Sequence, residues 1–296
     1  MSDLPQVVAA TVTPFTEGGE RLLLDWIPQH LAYLEHRGAD GALALGTNGE
    51  GVSLSLQERK DVIDAVVTHR GRLFIMFGTG CASLPETAEL SRYAIEKGAD
   101  AVLIVPPFYF KELDPQGLID YYSAVLDVLP KERKVLLYNI PDTSGVEISH
   151  ELLDALVERF PERLLGIKDT SVRLERTRRY VERYPQLAVY YGGDSNIAKA
   201  VQVEVIGTIS SIANVFPELV ADIFKADASG GNVAAAQAEV DRARRAFSPL
   251  PSHSAIKHLL HLVAGLPLTY VRPPLRDLTP EEIDALSRQV QELALA

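Results

Sequence analysis

The residues of this chain that can do covalent chemistry stand at the ends of apolar runs. Leu164-Leu165-Gly166-Ile167 is followed by Lys168-Asp169-Thr170, and Lys168 is the one lysine of nine that closes an apolar strand. An ammonium held there loses part of its hydration, which disfavours the charged form and frees an amine able to attack a carbonyl and form a Schiff base. A lysine that snorkels to a rim, or that pairs with Asp169, gives the same pattern. Val135-Leu136-Leu137 ends at Tyr138, whose phenol can carry protons to and from a substrate at such an amine. Tyrosines also close strands simply as amphipathic packing residues. Gly46-Thr47-Asn48-Gly49-Glu50-Gly51 provides a tight turn with open backbone N–H groups ahead of a helical segment, a cradle suited to a carboxylate. Tyr190-Tyr191-Gly192-Gly193-Asp194-Ser195 offers a second open backbone at Gly192 and a carboxylate, Asp194, for hydroxyl groups.

Groups so far apart in sequence act together only if the elements carrying them place all the run ends on one side. Short apolar runs begin near Val7, Gly41, Leu73, Ala101, Lys134, Leu164, Ala188 and Ile206. Stretches of helical period separate them, such as Leu56 to Val67, where Leu56, Val62, Ile63, Val66 and Val67 share one face while Glu58, Arg59 and Asp61 face away. Glycines punctuate the helix ends, as in His36-Arg37-Gly38-Ala39-Asp40 and Glu96-Lys97-Gly98-Ala99-Asp100. Runs such as Val102-Leu103-Ile104-Val105 are apolar on both faces, as parallel strands covered on both sides must be. Eight strand and helix units predict an α/β fold, a (β/α)8 TIM barrel over residues 1–228, with the chemistry at the carboxyl ends of its strands. An open doubly wound sheet with a dinucleotide site would carry G-x-G-x-x-G after the first strand, where Thr11-Val12-Thr13-Pro14-Phe15 stands instead. Residues 229–296 hold three further helical patterns, near Val233 to Phe247, Ser254 to Ala264 and Pro280 to Ala294, expected to pack on the barrel as a helical extension.

Three of these segments, in this order and on strands two, five and six, resemble the signature of the dihydrodipicolinate synthase and N-acetylneuraminate lyase family: Gly46-Thr47-Asn48-Gly49-Glu50, Tyr138-Asn139-Ile140-Pro141 and Gly166-Ile167-Lys168-Asp169-Thr170. The resemblance runs from Thr13-Pro14-Phe15 to Arg272-Pro273-Pro274-Leu275. It implies a pyruvate-dependent class I aldolase with no cofactor, in which Lys168 forms the imine. By the same resemblance Tyr138 shuttles the proton, Thr47 relays it, and Tyr109 of Pro107-Phe108-Tyr109 completes the relay in a neighbouring subunit. That implies a homo-oligomer, a dimer or a homotetramer. Asn48 stands where the family has a second threonine or serine, and its amide would bind the pyruvate carboxylate together with backbone N–H groups such as that of Gly46.

The departures bear on the substrate. Thr143 of Pro141-Asp142-Thr143-Ser144-Gly145 takes the place of the arginine that grips aspartate semialdehyde in the synthases, which argues against lysine biosynthesis. Ser195 replaces the glutamate that holds the glycerol tail in the sialic acid lyases. The remaining likeness is to aldolases that cleave 2-keto-3-deoxy sugar acids or 4-hydroxy-2-oxoglutarate, with Ser210, Ser211 and Asp194 expected to bind hydroxyls. Dihydrodipicolinate synthase is the alternative, and a non-catalytic sugar-acid sensor on the same barrel a second one, against which the retained lysine and tyrosine speak.

Other chemistry finds less support. Metal catalysis would need a histidine cluster at strand ends, yet His253, His258 and His261 lie in the C-terminal extension, the first two five residues apart on different helix faces. Cys81 has no histidine or aspartate pattern nearby and reads as a small loop residue. Arg173-Leu174-Glu175-Arg176-Thr177-Arg178-Arg179 reads as a solvated helix face. Forty Asp and Glu against 29 Lys and Arg give a net charge of −11, which repels nucleic acid and anionic lipid. With a single cysteine, no apolar stretch of membrane-spanning length and no signal-like start, the chain reads as cytoplasmic.

Overall fold

Short strands that are apolar on both faces need cover on both, and a barrel supplies it with helices outside and its own interior within. In the computed structural model, which describes residues 3–132 and 134–295, the strands are β1 Val7–Ala10, β2 Gly41–Ala44, β3 Phe74–Gly78, β4 Ala101–Ile104, β5 Val135–Asn139, β6 Leu164–Asp169, β7 Ala188–Tyr191 and β8 Gly207–Ser210. They pair in parallel in chain order, and β8 returns to β1 with Thr208 opposite Val7, closing a TIM barrel. Three strands start one residue later than the apolar runs at Leu73, Lys134 and Ile206, the usual blur at element ends.

The helices are α1 Ile27–His36, α2 Leu56–Thr68, α3 Leu84–Lys97, α4 Pro115–Asp127, the single turn α5 Pro141–Ser144, α6 His150–Arg159, α7 Leu174–Arg183, α8 Ile197–Val201 and α9 Pro217–Ala228. Helix α2 starts at a capping box in which the Ser55 side chain accepts from the Glu58 N–H and the Glu58 carboxylate returns the bond to the Ser55 N–H. Helix α3 stops where Gly98 turns left-handed at φ +107°, a conformation costly for a residue with a Cβ. Two apolar clusters result. One fills the barrel with Val8, Leu43, Met76, Leu103, Leu136, Tyr190 and Ile209, and the other lies between barrel and helices. On α2, Val62, Ile63 and Val66 are buried as their period predicts, but Arg59, expected to face solvent, is buried too. Its guanidinium turns inward and donates to Gly80 O at 3.2 Å and Cys81 Sγ at 3.1 Å, because its long stem can cross the edge of the apolar stripe.

After Ala228 come α10 Val233–Arg245, α11 Ser252–Ala264 and α12 Pro280–Leu295. The segment between the last two is stitched to the first βα loop: Tyr270 N–H donates to Phe15 O at 3.1 Å, Phe15 N–H to Thr269 Oγ1 at 2.7 Å, and the Trp26 indole to Pro267 O at 2.8 Å. Among the described residues no helix is long and apolar enough to cross a membrane.

His30 on α1 is fully enclosed, 3.3 Å from Asn214 O and stacked at a tilt on Trp26. Burial pushes its pKa down to about 4, against a weaker upward pull from the Asn214 carbonyl. Between the unfolded value of about 6.5 and this one, the unfolded chain takes up a proton that the folded chain refuses, so stability falls as pH drops through that window. Unfolding midpoints taken from pH 7 down to 4 should record a loss of about 3 kcal/mol from this group, and His30→Gln should remove that part of the slope. An unchanged slope in the variant would assign the acid sensitivity to other groups.

Candidate active site

Side chains alternate along a strand, so Lys168 and Asp169 point to opposite faces of β6. Asp169 points outward, where it accepts from Asn139 Nδ2 at 2.9 Å, Thr177 Oγ1 at 2.7 Å and Ser171 N–H at 3.1 Å. That leaves Lys168 inside the barrel, only 4% exposed and without an ion pair among the described residues, which removes both rim snorkelling and pairing with Asp169. The β5–β6 register sets Tyr138 directly beside Lys168. Lys168 Nζ lies 3.4 Å from the Tyr138 oxygen and 4.4 Å from its ring centroid, and the Tyr138 oxygen lies 3.4 Å from Thr47 Oγ1. Burial alone would raise the Tyr138 phenol, but the Lys168 charge with the Thr47, Thr170 and Lys168 polar groups outweighs it and holds the pKa below the ordinary tyrosine value. Amine, phenol and hydroxyl thus form a line along which one proton can pass.

The loop after β2 turns sharply, with Glu50 in the left-handed region at φ 52° and Gly51 N–H returning to Gly46 O at 3.2 Å. Asn48 Nδ2 donates to Ala10 O at 3.2 Å and to Ser211 Oγ at 2.7 Å, which ties this loop to the one after β8. Gly192 passes so close to β6 that a Cβ there would collide with Thr170 Oγ1 and press on Lys168 Cε, so glycine is required beside the amine. The Thr170 hydroxyl is buried at the same place and helps to hold the Tyr138 phenol down, a polar atom at the site that the motif alone did not single out.

A cavity of about 330 Å³ opens at the carboxyl ends of the strands. Gly46, Thr47, Tyr138 and Thr143 line it, with the unanticipated Arg59 and His253. Lys168, Asn48, Gly192, Asp194, Ser210 and Ser211 lie outside its lining, with the Lys168 amine 3.4 Å from the oxygen of the lining Tyr138. Ser210 Oγ instead donates to Asp194 Oδ1 at 2.7 Å, and Ser211 N–H donates to the same oxygen at 3.2 Å. Desolvation raises the Asp194 pKa despite these partners. Tyr109 stands 77% exposed, edge-on to the exposed Phe110 ring at 5.3 Å, and reaches none of the catalytic candidates of its own chain. Cys81 is buried, and burial pushes its thiol pKa up, away from the thiolate a nucleophile needs. Of the three tail histidines, His253 donates to Thr47 O at 3.0 Å and His261 meets Leu266 O at 2.8 Å, so they serve separate places.

An eight-stranded barrel with a buried lysine beside a tyrosine at its strand ends is the arrangement of a barrel enzyme equipped for amine and proton-transfer chemistry. The dihydrodipicolinate synthetase family model matches residues 3–293, and the chain belongs to that family. It is a pyruvate-dependent carbon–carbon lyase of the aldolase kind. A DapA-like lyase from Chloroflexus aurantiacus is 39% identical over 286 residues, 97% of this chain and 96% of its own. The 4-hydroxy-tetrahydrodipicolinate synthase of Methanopyrus kandleri is 31% identical over 98% of this chain and 96% of its own. The 2-dehydro-3-deoxy-D-gluconate/2-dehydro-3-deoxy-phosphogluconate aldolase of Thermoproteus tenax is 29% identical over 94% of this chain and 88% of its own. The crystal structure of KD(P)GA from T. tenax superposes with a TM-score of 0.89 at 28% identity, covering 98% of this chain and 99% of that one.

Proposed function

We propose that the chain cleaves a 2-keto-3-deoxy sugar acid to pyruvate and an aldehyde. The Lys168 amine attacks the keto carbon and water leaves as the imine forms. Tyr138, relayed by Thr47, takes the proton of the C4 hydroxyl as the C3–C4 bond breaks, and the aldehyde departs. The enamine left on Lys168 takes a proton at C3, and water hydrolyses the imine to release pyruvate. Backbone N–H groups of the β2 loop such as that of Gly46 hold the pyruvate carboxylate, the Asn48 amide being committed to Ala10 O and Ser211 Oγ, and Tyr109 of a neighbouring copy closes the relay in a homo-oligomer. The exposed Tyr109 and Phe110 rings, and the apolar Val52 and Leu275 at the cavity, support a second copy at this face.

The observation that carries the substrate reading is Thr143 on the cavity wall, a neutral hydroxyl where the synthases have a guanidinium. Losing that charge-assisted contact costs aspartate semialdehyde roughly 1.5–3 kcal/mol. Cleavage of a 2-keto-3-deoxy sugar acid should therefore exceed condensation of pyruvate with aspartate semialdehyde by at least about tenfold in kcat/KM. Both reactions run on one preparation decide it, and preference for the semialdehyde returns the protein to lysine biosynthesis. A second reading, cleavage of 4-hydroxy-2-oxoglutarate, is favoured by Arg59, a buried guanidinium on the same wall with no carboxylate partner among the described residues and an unbonded Nε. A panel of keto acids containing both compounds, scored for pyruvate release, separates the two.

A further inference from the structure

The helix α11 belongs to the C-terminal extension, yet one of its faces grips the loop that carries Thr47. His253, half-buried at its first turn, donates from Nε2 to Thr47 O at 3.0 Å. Lys257 lies four residues on, over the same face, and places Nζ 2.5 Å from Glu50 Oε1 and 2.5 Å from Tyr270 O, against the Phe15 ring at 4.9 Å. Both members of this ion pair are fully enclosed. The other Glu50 oxygen accepts from Arg272 N–H at 2.9 Å, while Glu50 N–H itself donates to Thr47 O at 3.0 Å. Thr47 O is thereby held by two donors, and the left-handed Glu50 is held by both oxygens of its carboxylate.

A buried ion pair is a costly way to gain stability, since apolar residues of similar size often do as well, so such a pair is better suited to fixing one geometry. The cost is visible here: burial pushes the Lys257 pKa down to about 8, with Glu50 opposing it. The geometry it fixes is that of Thr47 Oγ1, whose 3.4 Å reach to Tyr138 leaves no slack for proton transfer.

We infer that His253 and Lys257 are positioning residues for the proton relay, holding the β2 loop from one face of α11 so that Thr47 Oγ1 stays within reach of Tyr138. The inference rests on the relay role proposed for Thr47 and Tyr138. The extension then acts on the rate of proton transfer more than on the affinity for the keto acid.

The test is a set of variants read by kcat and KM separately, with folding followed by circular dichroism. His253→Ala, at a half-buried site that the core does not need, should lower kcat by about tenfold and by more than it changes KM, since His253 also stands on the cavity wall. His253→Gln, which keeps a donor for Thr47 O, should recover most of the loss. In a Thr47→Val background the additional effect of His253→Ala should vanish, because both act through one hydroxyl. Glu50→Gln combined with Lys257→Met leaves no buried charge and keeps an acceptor for the Arg272 amide, so it should fold and show the same kcat loss. Wild-type kcat in His253→Ala, or a loss that persists in full in the Thr47→Val background, overturns the inference. Wild-type turnover in Thr47→Val alone overturns the relay reading beneath it, and the two failures are thereby told apart.

Discussion

Incubated with pyruvate and reduced with borohydride, the protein is expected to gain one covalent adduct, on the peptide that carries Lys168. The reason is positional. Lys168 Nζ is buried, free of any carboxylate among the described residues and adjacent to a phenol that can take and return its protons. Two other lysines are near enough to be rivals, and both are occupied. Lys257 is locked on Glu50 and Tyr270 O, and Lys111 donates to the carbonyls of Phe108 and Ser144. Lys168→Ala should abolish the adduct and lower turnover by about 10³-fold or more, equivalent to roughly 4 kcal/mol of transition-state stabilisation. An adduct mapped by mass spectrometry to Lys111 or Lys257 would end the Schiff-base assignment. A folded Lys168→Ala protein that still turns over would do the same.

Tyr138→Phe removes one oxygen from the line between Lys168 and Thr47 and should lower kcat by about 10²-fold, roughly 2.7 kcal/mol, while the fold persists. The ring can stay in place against the lysine, so the loss is confined to the proton. The pH profile offers an independent readout. Burial raises the phenol, but the Lys168 charge and the surrounding hydroxyls outweigh it and hold the phenol below the ordinary tyrosine value, so the wild-type acid limb, where the phenol must be free to accept a proton, should rise at a lower pH than a free tyrosine would give. In Tyr138→Phe that limb should disappear. Turnover within a factor of two of wild type would place the shuttle elsewhere.

Much of the fold was legible because its signals are local. Each strand is a short run apolar on both faces, each helix repeats its apolar stripe at 3.6 residues, and glycine marks where a helix must end, so chain order and element type follow from composition over a dozen residues. Lys168 and Tyr138 were legible for a related reason: a polar residue that closes an apolar strand stands out. Less legible were the residues whose neighbours come from far along the chain. Arg59 sits on the edge of the α2 stripe, and only the cavity beside it decides that its guanidinium turns inward. Asp194 and Ser210, 16 residues apart, meet each other across adjacent strand ends, a contact that no spacing in the sequence announces.

The sequence by itself determined the eightfold strand and helix order, the lysine and tyrosine on neighbouring strands and the family they resemble. Tertiary structure decided the pairings: Lys168 with Tyr138 and not with Asp169, Glu50 with Lys257 across 207 positions, and His253 with the Thr47 carbonyl across 206. The physical reason is that a propensity acts over one turn or one strand, whereas a hydrogen bond or an ion pair is set by a few ångströms of distance. Those distances come into being only when the eighth strand closes on the first and the C-terminal helices are laid across the loops.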